Sequence, residues 1–431
     1  MLSTQHLNIL MLSSTFPYPP SRGGTEVRTF NLLKHLALRH SVTLVTQRHA
    51  EVTDAEVEAL RACVKELLIF PLPQAPSQSG IGGRVRRLTA SWVRNIPPNV
   101  LHRYSSEMQA WIETAIRSGQ YNVVTCEHSV NEIYIQPEFR HFIRTVVDVH
   151  SSVYGWTRNH LEMGASAHPW RDRLYLPLLK RYEQRYCNKF TQIVVTTEDD
   201  RQELLKLSPH AQIQVIPNGV DLALFPYRTH DPHNHTLVYV GAMDASHNID
   251  AAKFFALEVM PSLRQQYPKA TFRIVGARPT PEVQALATQP GIIVTGQVAS
   301  MVDELHQATV CVVPLRTGFG IKNKTLEAMA AGVPVVGSDR GLEGLEVDGT
   351  SLRALRANTV EEYIQSISRL FENAQLRATL AAAGRSMVEQ LFTWESAAKR
   401  YEEILGGKMR DEGAIALSKP APDSLQPAPP S

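Results

Sequence analysis

The chain has 431 residues, with 44 Lys and Arg against 42 Asp and Glu and 43% apolar residues. That length and composition belong to a core-forming globular protein of two or three domains and exclude a stapled mini-protein. The near-zero net charge excludes a dedicated nucleic-acid binder, which carries a basic excess. Cys63, Cys126, Cys187 and Cys311 show no CxxC or other metal-ligand spacing and read as reduced and mostly buried. No run of about 18 apolar residues occurs, and the opening MLSTQHLNILMLSS lacks a basic n-region. A cytoplasmic chain, free to lie against the inner membrane surface, is therefore expected.

Short apolar runs alternate with helical patterns. Leu7–Leu12 reads as a strand, Glu26–Arg39 as a helix with Phe30, Leu33, Leu36 and Ala37 on one face, and Ser41–Thr46 and Leu67–Phe70 as further strands. Residues 72–83 form a Pro/Ser/Gly loop. The stretch after it carries Arg84, Arg86, Arg87 and Arg94 among Val85, Leu88, Trp92 and Val93, which is either a solvated helix face or a surface for anionic lipid. Strands follow at Tyr121–Cys126, Thr145–His150 and Gln192–Thr196. The second half repeats the theme at Thr236–Gly241, Ala270–Gly276, Ile292–Thr295, Thr309–Pro314 and Val333–Gly337, with helices near 249–267, 301–307, 324–331 and 359–373. Strands apolar on both faces and separated by helices predict parallel sheets covered on both sides. The fold class expected is α/β, as two Rossmann-like doubly wound parallel-sheet domains of five or six strands each, facing a cleft. The expected boundaries are 1–208 for the first domain, joined by a C-terminal helix at 392–406, and 209–391 for the second. Residues 407–431, Pro/Ser/Ala-rich without an apolar period, are expected to be a disordered tail.

Two loops carry the chemistry. The first strand leads through Arg22 to Gly23 and Gly24 just ahead of a helix, where bare backbone N–H groups and the helix dipole suit an anion. The segment 312–338, VVPLRTGFGIKNKTLEAMAAGVPVVGS, reads strand, Gly-rich loop, helix, Gly-x-Pro turn, strand. Arg316, Lys322 and Lys324 converge on that loop, and Gly318 and Gly320 allow close backbone approach, a combination suited to a diphosphate. Glu327, placed in the first turn of the helix, either accepts hydrogen bonds from ribose hydroxyls or caps its own helix.

This segment resembles the donor-site motif of the retaining glycosyltransferases of family 4, which have the GT-B fold. The resemblance extends to GGTEVRTFNLLKHLALRHSVTLVT, VIPNGVDLALF, LVYVGAMDASHNIDAAKFF and TWESAAKRYEEIL, and spans about residues 7–405. With GAMD…N and GIKNKTLEAMA, the chain is similar to sugar transferases of bacterial exopolysaccharide and exosortase systems. The resemblance implies transfer of a sugar from a nucleotide-diphosphate donor to a glycan, lipid-linked or other hydroxyl acceptor in polysaccharide or glycoconjugate biosynthesis, with retention of configuration. It implies no cofactor beyond the donor and no metal, and no Asp-x-Asp between strands stands ready to hold one. Gly241, Gly320, Ile321, Asn323 and Glu327 would contact the donor, and Arg316, Lys322 and Lys324 would stabilise the leaving diphosphate. Gly23 and Gly24 would reach the same phosphates when the cleft closes. A family histidine near the reaction centre falls at His128 or, one residue away, at Glu127. His150, at the end of TVVDVH, is either a second such group or a strand-end residue bonded to Asp148.

The departures are specific. The first glutamate of the family's Glu-x7-Glu pair would fall at Phe319, and the Arg and Lys usual after the donor domain's first strand are absent from GAMDASHN. The loop cations would replace that pair, so Lys322→Ala is expected to cut turnover by ~100-fold. Asn218 and Gly219 read as a turn, and Glu183 as a salt-bridged structural acid. A nucleotide-sugar epimerase or hydrolase would consume donor without acceptor. An idle donor-binding scaffold would bind without turnover. A nicotinamide dehydrogenase is poorly supported, because no GxGxxG follows a strand.

Overall fold

A computed structural model describes residues 6–20, 23–73, 89, 91–162, 166, 168–318, 320–349 and 351–407. Arg22, Phe319, the basic residues Arg84, Arg86 and Arg87, and nearly all of the expected tail fall outside the described residues. The chain divides into two compact units, Met1–Ile216 with Ala397–Ser431, and Pro217–Ser396.

The first unit holds a seven-stranded, all-parallel sheet of β1 (Asn8–Ser13), β2 (Ser41–Arg48), β3 (Glu66–Pro71), β4 (Val123–Glu127), β5 (Arg144–Asp148), β6 (Gln192–Val195) and β7 (Ile213–Val215). Its order is β3-β2-β1-β4-β5-β6-β7. The second unit holds β8 (Thr236–Val240), β9 (Thr271–Val275), β10 (Ile292–Gly296), β11 (Val310–Val313), β12 (Val335–Gly337) and β13 (Leu355–Arg356), in the order β10-β9-β8-β11-β12-β13. Central strands such as β4, β5 and β11 are buried along their whole length, as expected for sheets with helices on both faces.

The first sheet, with seven strands, is larger than the five or six expected, and the second, with six, is within that range; β7 and β13 are too short to show as apolar runs. β7 pairs with β6, which carries the first unit to Ile216 and moves the boundary past residue 208. The helical stretch expected at 249–267 is interrupted by a π-turn, Phe255–Val259. The closing helix Trp394–Gly406 divides between the units, and its part from Ala397 packs on the first: Tyr401 is fully buried, and the Arg144 Nε–H donates to the Ile404 carbonyl at 2.5 Å. Cys126, Cys187 and Cys311 are buried, Cys63 is partly so, and all four are free thiols. Among the described residues no helix is long and apolar enough to cross a membrane.

Candidate active site

In an open parallel sheet a ligand binds beyond the carboxyl ends of the strands, where the strand order reverses. In the second unit that point lies between β8 and β11. Gly241 follows β8, and the loop holding Arg316, Gly318 and Gly320 follows β11. Gly318 and Gly320 have φ of 104° and 77°, a region side-chain-bearing residues avoid. The helix after the loop runs Asn323–Ala330, with Lys322 as its N-cap. Glu327 is therefore in the second turn, not the first, and cannot cap that helix.

The three cations do not converge on one point. The Arg316 Nε–H donates to Asp250 Oδ2 at 2.9 Å, its terminal nitrogen bonds the other Asp250 oxygen, and the guanidinium lies 5.0 Å from the Phe254 ring centre. Lys322 donates to the Gly320 carbonyl and pairs with Glu343 at 3.2 Å. Lys324 differs, because its hydrogen-bond partners carry no charge. Its Nζ donates to Asn248 Oδ1 at 2.6 Å and to the Tyr239 hydroxyl at 3.1 Å, and sits 4.3 Å from the Tyr239 ring centre. Tyr239 donates to the same Asn248 oxygen at 2.8 Å, and the Asn248 amide donates to the Ala242 carbonyl at 2.9 Å. Burial pushes the Lys324 amine down to about 7, opposed by the Glu327 carboxylate and aided by Lys322. Burial also raises Glu327 to about 7, against the pull of Lys324. An ammonium whose hydrogen-bond partners are all neutral, in a partly buried place with only the Glu327 carboxyl nearby, can take on further negative charge.

Gly241 belongs to this cradle. A Cβ there would lie 2.7 Å from Lys324 Nζ and 2.8 Å from Asn248 Nδ2. Gly241→Ala must displace the ammonium. The expected result is a fall in kcat/KM of ~10–100-fold, with a stability loss of only ~1–3 kcal/mol in urea unfolding. Ile321 turns into the core, where it packs under Gly344, and Asn323 accepts a bond from Asn218 at 3.1 Å. Gly219 sits against Trp394, with a Cβ position 2.3 Å from its backbone nitrogen, so the Asn218–Gly219 turn is structural.

In the first unit the strand order reverses between β1 and β4. Gly24 opens the helix Gly24–Ala37 with free space where a side chain would stand, whereas a Cβ on Gly23 would meet the Glu26 carboxylate at 2.8 Å. At the ends of β4 and β5 the structure does bring Glu127, His128 and His150 together. Oxygens of Glu127 and Asp148 and a ring nitrogen of His150 all lie within 4.8 Å of one another, and the two histidine rings are 5.1 Å apart. His128 and His150 have φ of 77° and 58°, strained positions one residue past β4 and two residues past β5.

Glu127 and Asp148 are fully buried, and Arg28, also buried, donates from Nε to Asp148 Oδ2 at 2.6 Å. Of the two alternatives for His150, the bond to Asp148 is made by its backbone N–H and not by its ring, whose nitrogen is 3.9 Å from the oxygen that Arg28 holds. Glu127 Oε1 accepts from the Tyr401 hydroxyl at 3.0 Å and from Thr125 at 3.2 Å. Burial and the neighbouring Asp148 charge raise Glu127 to about 8. Burial raises Asp148 as well, against the pull of the Arg28 guanidinium bonded to it, so the two carboxyl groups compete for protons. Both imidazoles are neutral near pH 7: burial lowers His128 to about 4, helped by Arg103, and drives His150 well down. His128 Nδ1 accepts from the Val130 N–H at 3.4 Å, which leaves the Nε2–H to donate. Glu183 is held by the Ser152 hydroxyl at 2.7 Å and the Tyr154 N–H at 3.2 Å, hydrogen bonds rather than the expected salt bridge.

Five residues of these clusters went unnoticed in the sequence as site groups: Asn248, Tyr239, Arg28, Asp148 and Tyr401. A tyrosine inside the aliphatic run TLVYV offered one signal, since a buried hydroxyl needs a partner.

Comparison with known proteins agrees with the geometry. Residues 22–224 match the family model described as Glycosyltransferase Family 4, and residues 234–373 match that described as Glycosyl transferases group 1. The MMP alpha-(1->4)-mannosyltransferase of Mycolicibacterium hassiacum is 23% identical over 410 residues, covering 89% of this chain and 95% of that protein. A GDP-mannose-dependent alpha-(1-6)-phosphatidylinositol monomannoside mannosyltransferase of Mycobacterium tuberculosis is 32% identical over 174 residues, 34% of this chain and 42% of its own. Among solved structures, sucrose-phosphate synthase of Thermosynechococcus elongatus aligns with a TM-score of 0.63 at 19% identity over 93% of this chain and 98% of its own. Anabaena Alr3699/HepE in complex with UDP and glucose aligns at 0.64 and 15% identity over 94% and 100%.

Proposed function

Because the chain belongs to glycosyltransferase family 4 and has the GT-B fold, we propose that it moves a hexosyl group from a nucleotide-diphosphate sugar to a hydroxyl of a glycan or lipid-linked acceptor. The reading includes retention of anomeric configuration, no bound metal, and a place in bacterial polysaccharide or glycoconjugate synthesis. The observation that carries it is the Lys324 ammonium, cradled by neutral groups beside Gly241 at a strand-order switch point. A diphosphate supplies the further negative charge that this ammonium can take on, and the ammonium in turn stabilises the diphosphate as it leaves. Glu327, one helical turn on, is the acceptor for sugar or ribose hydroxyls. In the first unit, the Nε2–H of neutral His128 donates to a sugar or acceptor oxygen without changing charge. The proton held between Glu127 and Asp148 keeps that pocket close to neutral. Relatives whose names specify mannosyl transfer and GDP-mannose favour a mannosyl donor, with a glucosyl donor as the next choice.

Metal independence rests on Arg28. Glu127, Asp148 and His150 have a spacing that could hold an ion, but the Arg28 guanidinium already takes one Asp148 oxygen and brings a positive charge to the cluster. Chelator-dialysed enzyme is expected to retain full transfer, and activity restored only by a divalent ion would contradict this. Donor consumption measured with and without acceptor tests the reaction itself. Transfer that needs acceptor supports the proposal, and equal consumption without it makes the protein a hydrolase or epimerase.

Lys324 also sets a pH dependence. Its amine, at about 7 in the free protein, must be protonated to pair with a diphosphate. Binding raises that value, so complex formation takes up a proton above about pH 7. Affinity for nucleotide diphosphate is therefore expected to be flat below about pH 7 and to fall up to ~10-fold per unit above it. Titration calorimetry at pH 8 in buffers of different ionisation enthalpy reads the proton uptake directly.

A further inference from the structure

The helix Pro169–Cys187 makes the return from β5 toward β6. At 19 residues it is about 28 Å long, whereas the five-residue β5 spans about 17 Å. A crossover helix runs antiparallel to its strands, so its first turns lie toward the carboxyl ends, the side that holds Glu127, His128 and His150. Its buried residues begin only at Leu178, and no residue from Pro169 to Pro177 is buried.

The free part carries apolar side chains. Trp170 is 84% exposed and Leu174 57%, and Pro177 is exposed one turn further on. Arg171, Arg173, Lys180 and Arg181 are exposed around them, and the Arg173 guanidinium lies 6.0 Å from the Trp170 ring centre. The two acids of the helix are already engaged. Asp172 accepts from Ser166 at 2.7 Å and pairs with Arg171 at 3.3 Å, and Glu183 is buried, so Arg173, Lys180 and Arg181 remain as the uncompensated cations of the helix. The exposed charge is therefore wholly positive. The chain's own remaining segments do not complement it: residues 74–88 hold three Arg and no acid, and residues 408–431 hold three Lys or Arg and three Asp or Glu.

We propose that the first turns of this helix dock the protein on an anionic lipid surface, with Trp170 and Leu174 entering the headgroup–acyl boundary and Arg173, Lys180 and Arg181 pairing with lipid phosphates. An apolar wedge ringed by cations fits a phosphate-rich interface. It does not fit bulk water, which penalises exposed tryptophan, or a neutral protein groove, which leaves Arg173, Lys180 and Arg181 unpaired. Docking on this side would hold the Glu127–His128–His150 end of the sheet toward the membrane.

Vesicle flotation of the full chain tests this, using phosphatidylcholine alone and phosphatidylcholine doped with phosphatidylglycerol. The wild type is expected to float with the anionic vesicles at low salt, to be released by high salt, and to stay behind with phosphatidylcholine alone. Arg173→Glu/Arg181→Glu should lower partitioning by ~30-fold or more. Trp170→Ser/Leu174→Ser should also lower partitioning at low salt, because the apolar insertion is lost while the cations remain. Both variants should keep the wild-type melting temperature and nucleotide-diphosphate affinity, which separates loss of docking from misfolding and from failure of the glycosyltransferase reading. Equal flotation of wild type and variants, or equal binding to both vesicle types, would overturn the proposal. So would capture of dextran sulfate through these residues without vesicle binding, which would mark the face as a reader of anionic glycan.

Discussion

Lys324→Met is expected to lower kcat by ~100–1000-fold, the cost of losing one preorganised group aimed at charge that develops in the transition state. Lys322→Ala is expected to cost only ~10-fold, less than the sequence alone suggests. Lys322 already faces the Glu343 carboxylate at 3.2 Å and the Gly320 carbonyl, so part of its charge is spent on holding the loop. Lys324 hydrogen-bonds the neutral groups Asn248 and Tyr239, with the Glu327 carboxyl acting on it only through space. In Lys324→Met those two residues still bond one another at 2.8 Å, so no buried polar atom of the pair is stranded and the fold should survive. Steady-state kinetics with saturating donor checks both variants. Equal losses, or a larger loss at Lys322, would assign the leaving-group role to the wrong lysine.

Arg28→Met is expected to destabilise the first unit by ~3–5 kcal/mol, the cost of breaking a buried pair from one side. Arg28 is 1% exposed and Asp148 0%, with Glu127 buried beside them. One guanidinium serves two carboxylates, so its removal leaves Asp148 charged without a cation or forces a second proton into the site. Both carboxyl groups are raised by burial. A raised carboxylate favours the folded state most below its unfolded value, and that favour is lost as pH rises toward the folded value. The deficit of Arg28→Met should therefore be smallest in acid and grow toward pH 8. Adding Asp148→Asn should restore much of it, a coupling that a double-mutant cycle in urea unfolding measures. Additive losses across the cycle would contradict direct pairing.

These two clusters differ in how far sequence could reach them. The donor loop was legible because local rules write it. Gly318 and Gly320 mark positive φ, the cations cluster within nine residues, and strand and helix patterns flank them. The placement of Glu127, His128 and His150 at strand ends was also legible, since their strands are continuous apolar runs. Partners far apart in sequence were not. Tyr401 reaches Glu127 across 274 residues, Arg28 reaches Asp148 across 120, and Lys324 reaches Asn248 across 76. Nothing in a local window encodes such pairs. They also reverse a local inference, because three nearby cations read as one anion site while the fold sends Arg316 to Asp250 instead. Short elements failed for another reason. β13 is two residues long; the helix Ala374–Leu391, though 18 residues long, shows a weak apolar contrast because its buried face is partly alanine and glycine.

Titration of GDP and UDP into metal-free wild type and Lys324→Met tests the central claim most directly. The donor cradle predicts that at least one nucleotide diphosphate binds the wild type without metal, and that the variant binds it ~100-fold more weakly, as expected for loss of a buried charge-assisted contact. Failure of both nucleotides to bind the wild type, or equal affinity in the variant, would contradict it.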